Sequence, residues 1–390
     1  MMTDRYDFDE LIDRKGTDCV KYDDLYRNFG CTDVLPLWVA DMDFRVARPI
    51  VEAAEECCRH GVFGYTFRSD EAKQAFIDWV GSRYGWQVKP EWMSTSPGIV
   101  TALSVSVRAF TQPGDKVLVM TPVYPPFLTV VQDNRRELVC SALRVNDGRY
   151  EVDWEDFEGK MKQGVKLFIL CNSHNPVGRV WTREELKQLG ELCCRYGVLI
   201  LSDEIHADLA LFGNRHTVMA SVSEEIAART LTAMAPSKTF NIAGMMNSVI
   251  VSSSKELLSA YEKEMLMLHL ETGNVFGHVT LKAAYRHGGP WLSALTDYLG
   301  KNVEFAADYI ARELPYVRLI KPEGSFLLWL DFRGTGLSHE EVGNVLLKKA
   351  KVGLNDGTAF GREGNGFRRM NIGCPLSVVQ EGLERIRKSF

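Results

Sequence analysis

A chain of 390 residues, 45% of them hydrophobic, is long enough for one large domain and a smaller one, and disorder over most of its length is excluded. Its 46 Lys and Arg against 51 Asp and Glu give a formal charge of -5 with no long block of one sign, which argues against nucleic acid or an anionic membrane as a partner.

Residues 1–10 are polar and acidic, without the apolar core of a signal peptide, and no later apolar run is long enough to cross a bilayer; the location expected is cytoplasmic. The nine cysteines include the adjacent pairs Cys57-Cys58 and Cys193-Cys194 in helix-like segments. That pattern reads as reduced, mostly buried thiols and not as a disulfide framework. The eight histidines lack metal-ligand spacing, with no HExxH and no CxxC, so no metal is expected.

In chain order, Ser96-Pro97-Gly98 precedes a helix marked by Leu103, Val107 and Phe110. The unpaired backbone donors at Gly98, Ile99 and Val100 offer a phosphate cradle, a weak signal by itself because one glycine before a helix is ordinary. An apolar strand at 116–121 leads to Tyr124, set between Pro122 and Pro125-Pro126. Its ring either stacks on a planar ligand or fills the core. The next strand, 165–172, runs into Asn172-Ser173-His174-Asn175-Pro176-Val177-Gly178, where Pro176 and Gly178 force a turn.

A helix follows at 182–196, with Leu186, Leu189, Leu192, Cys193 and Tyr196 at helical spacing and Thr182 with Glu185 as a capping box. Another apolar strand, 198–203, ends at Asp203. Strand, helix and strand in this order predict a mainly parallel sheet buried on both faces, where ligands sit beyond the carboxyl ends of the strands. Asn175 and Asp203 both fall there, one crossover apart.

A further strand is predicted at 248–253, then a long helix from about Leu292 through Asp308. Short strands at 317–321 and 325–332, a helical segment at 339–351 and a glycine-rich stretch at 353–366 close the chain. The domains expected are a large one over 46–290 and a smaller α+β one built from both chain ends, 1–45 and 291–390, sharing a long helix.

Lys238, in Ser237-Lys238-Thr239-Phe240-Asn241, follows Asp203 by 35 residues and Asn175 by 63. Each alone has an ordinary explanation: a surface lysine, a strand-end acid, an Asn-Pro turn. Together they suggest a pyridoxal phosphate enzyme. The amine would bond the cofactor's aldehyde and later move protons at a substrate's α-carbon. The acid would keep the pyridine nitrogen protonated, and the amide would donate to the phenolic oxygen. A lysine with an ordinary pKa of about 10.4 must be shifted down by its site to act as a base. Ser237 could add a hydroxyl to the phosphate cradle. Arg368-Arg369, after the glycine-rich stretch, is either a fork for an amino acid carboxylate or a solvated pair.

Eight segments carry a resemblance to a family: LPLWVADMDF at 35–44, GYT at 64–66, SPGIV at 96–100, HNPVGRVW at 174–181, SDEIHADL at 202–209, APSKTFNIAG at 235–244, PEGSFLLWLD at 322–331 and FRRMNIGCP at 367–375. The chain resembles the fold-type I pyridoxal phosphate enzymes of the class I and II aminotransferase superfamily, and within it the MalY/PatB group of cystathionine β-lyases. The resemblance implies an α/β fold of that type, with a mainly parallel, seven-stranded central sheet and a smaller α+β domain. It also implies a homodimer with the active site between subunits. Carried over by motif, Lys238, Tyr124 and Asp203 form the catalytic set, and Asn175, His206, Ser237 and the Gly98–Val100 turn hold the cofactor. Tyr65 reaches the neighbouring subunit's phosphate and substrate, while Arg369 and Ala40 contact the substrate.

The chain departs from the broader aminotransferase pattern at three positions. His206 replaces a tyrosine three residues after the Asp, and Met246 replaces a phosphate-binding arginine eight residues after the lysine. The phosphate is therefore expected to lean on the amides of Gly98, Ile99 and Val100 and on Ser237. Ser173 stands where proline is usual in the group, as a tolerated turn variant. The reaction implied is β-elimination of L-cystathionine, or related S-substituted cysteines, to a thiol, pyruvate and ammonia. Its rivals are transamination, whose early steps are identical, and an amino acid-sensing regulator on the same fold. Regulators of that kind carry an added DNA-binding domain, which residues 1–34 are not expected to provide.

Overall fold

The computed structural model describes residues 6–390; the first five residues, and with them the start of the segment expected at 1–45, lie outside the described residues. The apolar runs assemble into one seven-stranded sheet in the spatial order Met93–Ser96, Ser248–Val251, Thr230–Met234, Leu199–Asp203, Val165–Cys171, Lys116–Thr121, Glu137–Ala142. The last five of these run parallel, and Ser248–Val251 pairs antiparallel on both sides. Burial on both faces explains the unbroken apolar runs. Val117 to Met120 and Leu167 to Leu170 are at most 1% exposed. Alternate side chains go to opposite cores, Leu118, Met120, Phe168 and Leu170 to one and Val117, Val119, Leu167 and Ile169 to the other, as the two-residue period of a strand requires.

The register sets Cys171 beside Asp203 and Asp203 beside Ala233, so three neighbouring strands end level and their following loops open on one edge. The helix Arg183–Tyr196 carries the expected capping box, with Thr182 and Glu185 each bonding the other's backbone. The strands Met93–Ser96 and Thr230–Met234 lacked an apolar signature. Thr230 and Thr232 are nevertheless fully buried, and the Thr230 hydroxyl donates to the Ile226 carbonyl at 2.7 Å.

A second, antiparallel sheet of four strands is ordered Arg318–Ile320, Leu327–Asp331, Phe367–Asn371, Asn355–Asp356. The helix before it, Gly289–Glu313, is 25 residues long and overruns the expected span at both ends, since Trp291, Leu292, Leu295, Leu299, Val303, Ala306 and Ile310 continue one buried stripe. The segment expected as helix at 339–351 divides into an α-helix, His339–Asn344, and π-type turns over Val345–Ala350. Both ends of the chain meet where Leu35–Pro36 pairs in parallel with Val352–Gly353. Nearby, the Asp43 carboxylate takes Lys21, fully buried, and Arg14, each at 2.7 Å.

All nine cysteines are free. The expectation that most are buried is corrected: only Cys171, Cys193 and Cys374 are, because Cys57 and Cys58 lie on a helix, Arg48–His60, whose buried residue is Ile50. No helix among the described residues is long and apolar enough to cross a membrane.

Candidate active site

Lys238 lies in a single helical turn, Pro236–Thr239, entered directly from the strand Thr230–Met234. Its ammonium donates to the Ala40 carbonyl. Burial first and the nearby Arg369 second pull the amine down to about 8, against the opposing pull of Asp41 and Asp203. Just beyond, Asn241 takes a left-handed backbone, φ 57°, which aims its amide at the 35–44 segment. It accepts from Met42 N at 2.9 Å and donates to the carbonyls of Met42 at 2.8 Å and Phe44 at 3.0 Å.

Asp203 ends its strand with a buried carboxyl whose Oδ1 accepts from Ile205 N at 3.1 Å. Burial raises this acid to about 7, with a further push from Glu204 and opposition from the Ile205 amide and Lys238. Glu204 itself faces away, bonded to Ser202 at 2.7 Å, His216 at 2.7 Å and Met219 N at 3.0 Å. His206, beside Ser325 at 3.3 Å, is held down to about 3 by burial, Lys238 and Arg369, so its imidazole is neutral.

The Asn175 turn is fixed from two sides. His174 Nε2 donates to the Pro122 carbonyl at 2.8 Å, and burial holds its pKa down to about 4. Gly178 has φ +73°, and a Cβ there would sit 2.5 Å from Pro322 Cβ, so only glycine permits this approach. Glu323 closes the junction, accepting from Arg149 at 2.8 Å, Arg179 at 3.0 Å and Val180 N at 2.8 Å. The PEGSF and HNPVGR motifs are thus two sides of one contact.

Lys238, Asp203, Asn175, Tyr124, His206, Ser237, Ala40 and the Gly98–Val100 turn all line one cavity of about 280 Å³. Tyr124 is half-buried in its wall, and burial raises its phenol. The helix Ile99–Phe110 opens on the cavity with no side-chain cap, leaving its first amides for an anion. A Cβ added to Gly98 would meet no atom within 4 Å, and its extended backbone does not require glycine.

Arg369 sits one layer behind, on the strand Phe367–Asn371. Its Nη1 donates to Asn175 Oδ1 at 3.1 Å and its Nη2 to Trp38 O at 3.0 Å and Asn355 Oδ1 at 2.6 Å, while the buried Nε has no partner. Burial lowers it to about 10, leaving it charged at neutral pH. Arg368, on the opposite side of the strand, goes to His339, so the two arginines do not form one fork. Tyr65 does not reach this cavity; it is fully exposed in the loop before the helix Asp70–Tyr84.

The groups left without protein partners match pyridoxal phosphate. Among the described residues Asp203 Oδ2 and Asn175 Nδ2 have no hydrogen bond, which suits a ring N–H and a phenolic oxygen. The helix amides suit the phosphate, and the lowered amine of Lys238 suits the aldehyde.

A family model described as aminotransferase class I and II matches residues 32–386. The chain belongs to that family. As a member it is 47% identical over 384 residues to cystathionine beta-lyase PatB of Bacillus subtilis, covering 98% of this chain and 99% of that one. It is 31% identical to protein MalY of Escherichia coli, covering 97% of each. Among solved structures, cystalysin from Treponema denticola, which contains a pyridoxal 5'-phosphate cofactor, superposes with a TM-score of 0.96 at 34% identity, covering 99% of this chain and 98% of that one. The pyridoxal phosphate-bound C-S lyase from Staphylococcus hominis gives 0.92 at 33%, with the same coverage.

Three residues that position this family site escaped sequence reasoning. Asn241 clamps the segment carrying Ala40, Asp208 bonds the Thr239 hydroxyl at 2.8 Å, and Arg68 bonds Asn247 and Ser248 of the cavity lining. Asn241 and Asp208 lie inside quoted motifs, a signal that marked their segments without telling what they bond.

Proposed function

We propose that the chain is a pyridoxal phosphate-dependent carbon-sulfur lyase that eliminates the β-substituent of L-cystathionine and related S-substituted cysteines, giving a thiol, pyruvate and ammonia. One observation carries the reading: Lys238, Asp203 and Asn175 face a single cavity, with Arg369 bonded to Asn175 behind it. The choice of reaction is supported by end-to-end likeness to a protein named cystathionine beta-lyase and to a C-S lyase.

Pyridoxal phosphate, when bound, supplies an electron-poor ring conjugated to the substrate's α-carbon, which makes the α-proton removable. Asp203 would hold a proton at the ring nitrogen; a cation there relieves the burial that otherwise protonates the acid itself. Lys238, with its amine near 8, is in part uncharged at neutral pH and takes the α-proton. The electron pair moves into a Cα–Cβ double bond as the Cβ–S bond breaks, and sulfur leaves with its own pair. A thiol of pKa about 8.5 leaves as thiolate without a strong acid. Arg369 would bind the substrate carboxylate, Ala40 would border the substrate, Tyr124 would stack on the ring, and neutral His206 would pack without adding charge.

The reading includes a homodimer in which Tyr65 serves the partner's site. In support, Val62, Phe63, Tyr65 and Phe67 leave an exposed apolar surface on one loop. It also includes a cytoplasmic location, supported by the nine free thiols, and a division into 46–290 and the two chain ends, supported by the separate four-stranded sheet. Incubation with L-cystathionine tests the reaction: free thiol and pyruvate should appear in equal amounts. Keto acid formed only when a second keto acid is supplied would reject the lyase in favour of an aminotransferase.

A further inference from the structure

Arg68 precedes the helix Asp70–Tyr84 and inserts its guanidinium between two strand ends. Nη1 donates to Ser94 O at 3.0 Å, and Nη2 donates to Thr95 Oγ1 at 2.9 Å, to Ser248 O at 2.7 Å and to Asn247 Oδ1. All four acceptors are neutral. Nε is buried without a partner, the nearest titratable groups acting on it are the phenols of Tyr261 and Tyr285, both neutral at pH 7, and no carboxylate among the described residues is paired with it. Burial lowers the guanidinium to about 10, so it stays charged at neutral pH. A buried cation without a counter-ion is costly until an anion completes its surroundings.

Arg68 itself lines a neighbouring cavity, and two of its acceptors form the wall between it and the cavity of Lys238. Asn247 and Ser248 line the same cavity as the amides of the helix Ile99–Phe110, and Ser248 pairs with Ser96, which leads into that helix. Asn247 is held in place from its other side, where Nδ2 donates to His278 Nδ1 at 3.1 Å and His278 Nε2 donates to Thr272 O at 3.2 Å. Among the described residues Lys238 is the one Lys or Arg lining the cavity, and its amine must be uncharged to react. Met246 lines the same end without charge. Among the described residues, a phosphate dianion seated here has no Lys or Arg in the cavity wall to balance it apart from the reacting Lys238.

We propose that Arg68 is the counter-charge of the cofactor's phosphate, acting from behind Asn247 and Ser248; this rests on the pyridoxal phosphate reading of the cavity. Cofactor-free wild type, Arg68→Met and Arg68→Lys are each titrated with pyridoxal phosphate and with pyridoxal. Arg68→Met should weaken pyridoxal phosphate binding by about 10- to 100-fold while changing pyridoxal by less than about twofold, as expected for a charge interaction confined to the phosphate. Arg68→Lys should keep most of the wild-type affinity. Equal weakening of both ligands, or of neither, overturns the assignment, whereas wild type that binds neither ligand overturns the cavity's reading as well. If Arg68→Met does not fold, ³¹P resonance of the wild-type complex decides. A phosphate beside a guanidinium stays dianionic well below its solution pKa of about 6, and titration at or above that value overturns the proposal.

Discussion

The Thr239 hydroxyl donates to the Asp208 carboxylate at 2.8 Å. The same carboxylate takes Arg83 at 2.7 Å, Trp79 Nε1 at 3.1 Å and the Tyr84 hydroxyl. Thr239 is next to Lys238, and Asp208 lies five residues beyond Asp203, so one buried acid anchors both the turn of the amine and the loop of the acid to the helix Asp70–Tyr84.

Asp208→Ala strands four donors in a buried site, so the expected loss of stability is about 2–4 kcal/mol, read by urea unfolding. Asp208→Asn keeps the shape but removes the charge. It should lower kcat by about 10-fold or more with little change in KM, because a misplaced amine harms the proton transfer more than binding. Unchanged kcat in the folded Asn variant would reduce Asp208 to a structural residue.

The lowered amine of Lys238 sets a pH dependence. Capture of pyridoxal phosphate by the cofactor-free protein needs the uncharged amine, so trapping with borohydride should fall as pH drops, with a midpoint near 8 and not near the ordinary value of about 10.4. Peptide mass mapping should place the adduct on Lys238. Lys238→Arg should give no adduct and lower turnover by about 1,000-fold or more.

Asp203 makes the opposite contribution. Burial raises its folded pKa to about 7 from an ordinary value of about 3.9, so the cofactor-free fold binds a proton more tightly than the unfolded chain and loses stability as pH rises from about 4 to 7. Asp203→Asn removes that loss. Without cofactor the variant should be more stable than wild type by about 4 kcal/mol at pH 8, with the gap closing toward pH 4. It should bind pyridoxal phosphate more weakly and lose activity. Denaturation at the two pH values, with and without cofactor, measures both effects; a gap that does not depend on pH would contradict the burial argument.

Arg369 is charged and buried, with Nε lacking a partner, a donor left for a ligand carboxylate. Arg369→Ala should raise KM by about 100-fold or more while cofactor remains bound, and Arg369→Lys should recover little, because a point charge cannot reproduce a two-pronged contact. Release of the cofactor from the Ala variant would place Arg369 in cofactor binding.

Asn175 and Asp203 were legible in sequence because each follows an unbroken apolar strand, and the ends of parallel strands are where ligands gather. Lys238 was legible from its place in a motif. Arg68 was not: its acceptors Asn247 and Ser248 lie about 180 residues away, and nothing local distinguishes it from a solvated arginine. The strands Met93–Ser96 and Thr230–Met234 were missed for a related reason. Their serines and threonines read as polar, although Thr230 and Thr232 are fully buried inside the sheet. The Arg368-Arg369 pair left its two readings open until the sheet placed the side chains on opposite faces.

Asn241 offers a test of how far the backbone of 35–44 controls the site. That segment presents Ala40 O to Lys238 and Trp38 O to Arg369, and Asn241 grips it by three hydrogen bonds. Two effects are mixed in Asn241→Ala, because alanine also resists the left-handed backbone by about 1 kcal/mol. Asn241→Gly separates them: glycine accepts that backbone, so what it loses is the side chain's bonds. Both variants should lower kcat/KM by about 10-fold or more, and the Ala variant alone should show the added loss of stability. With the grip gone, the Ala40 carbonyl no longer holds Lys238 in place, and the midpoint of cofactor trapping should shift from about 8. A glycine variant with wild-type kinetics and an unmoved midpoint would show that the 35–44 segment is held by packing and that Asn241 has no part in positioning the amine.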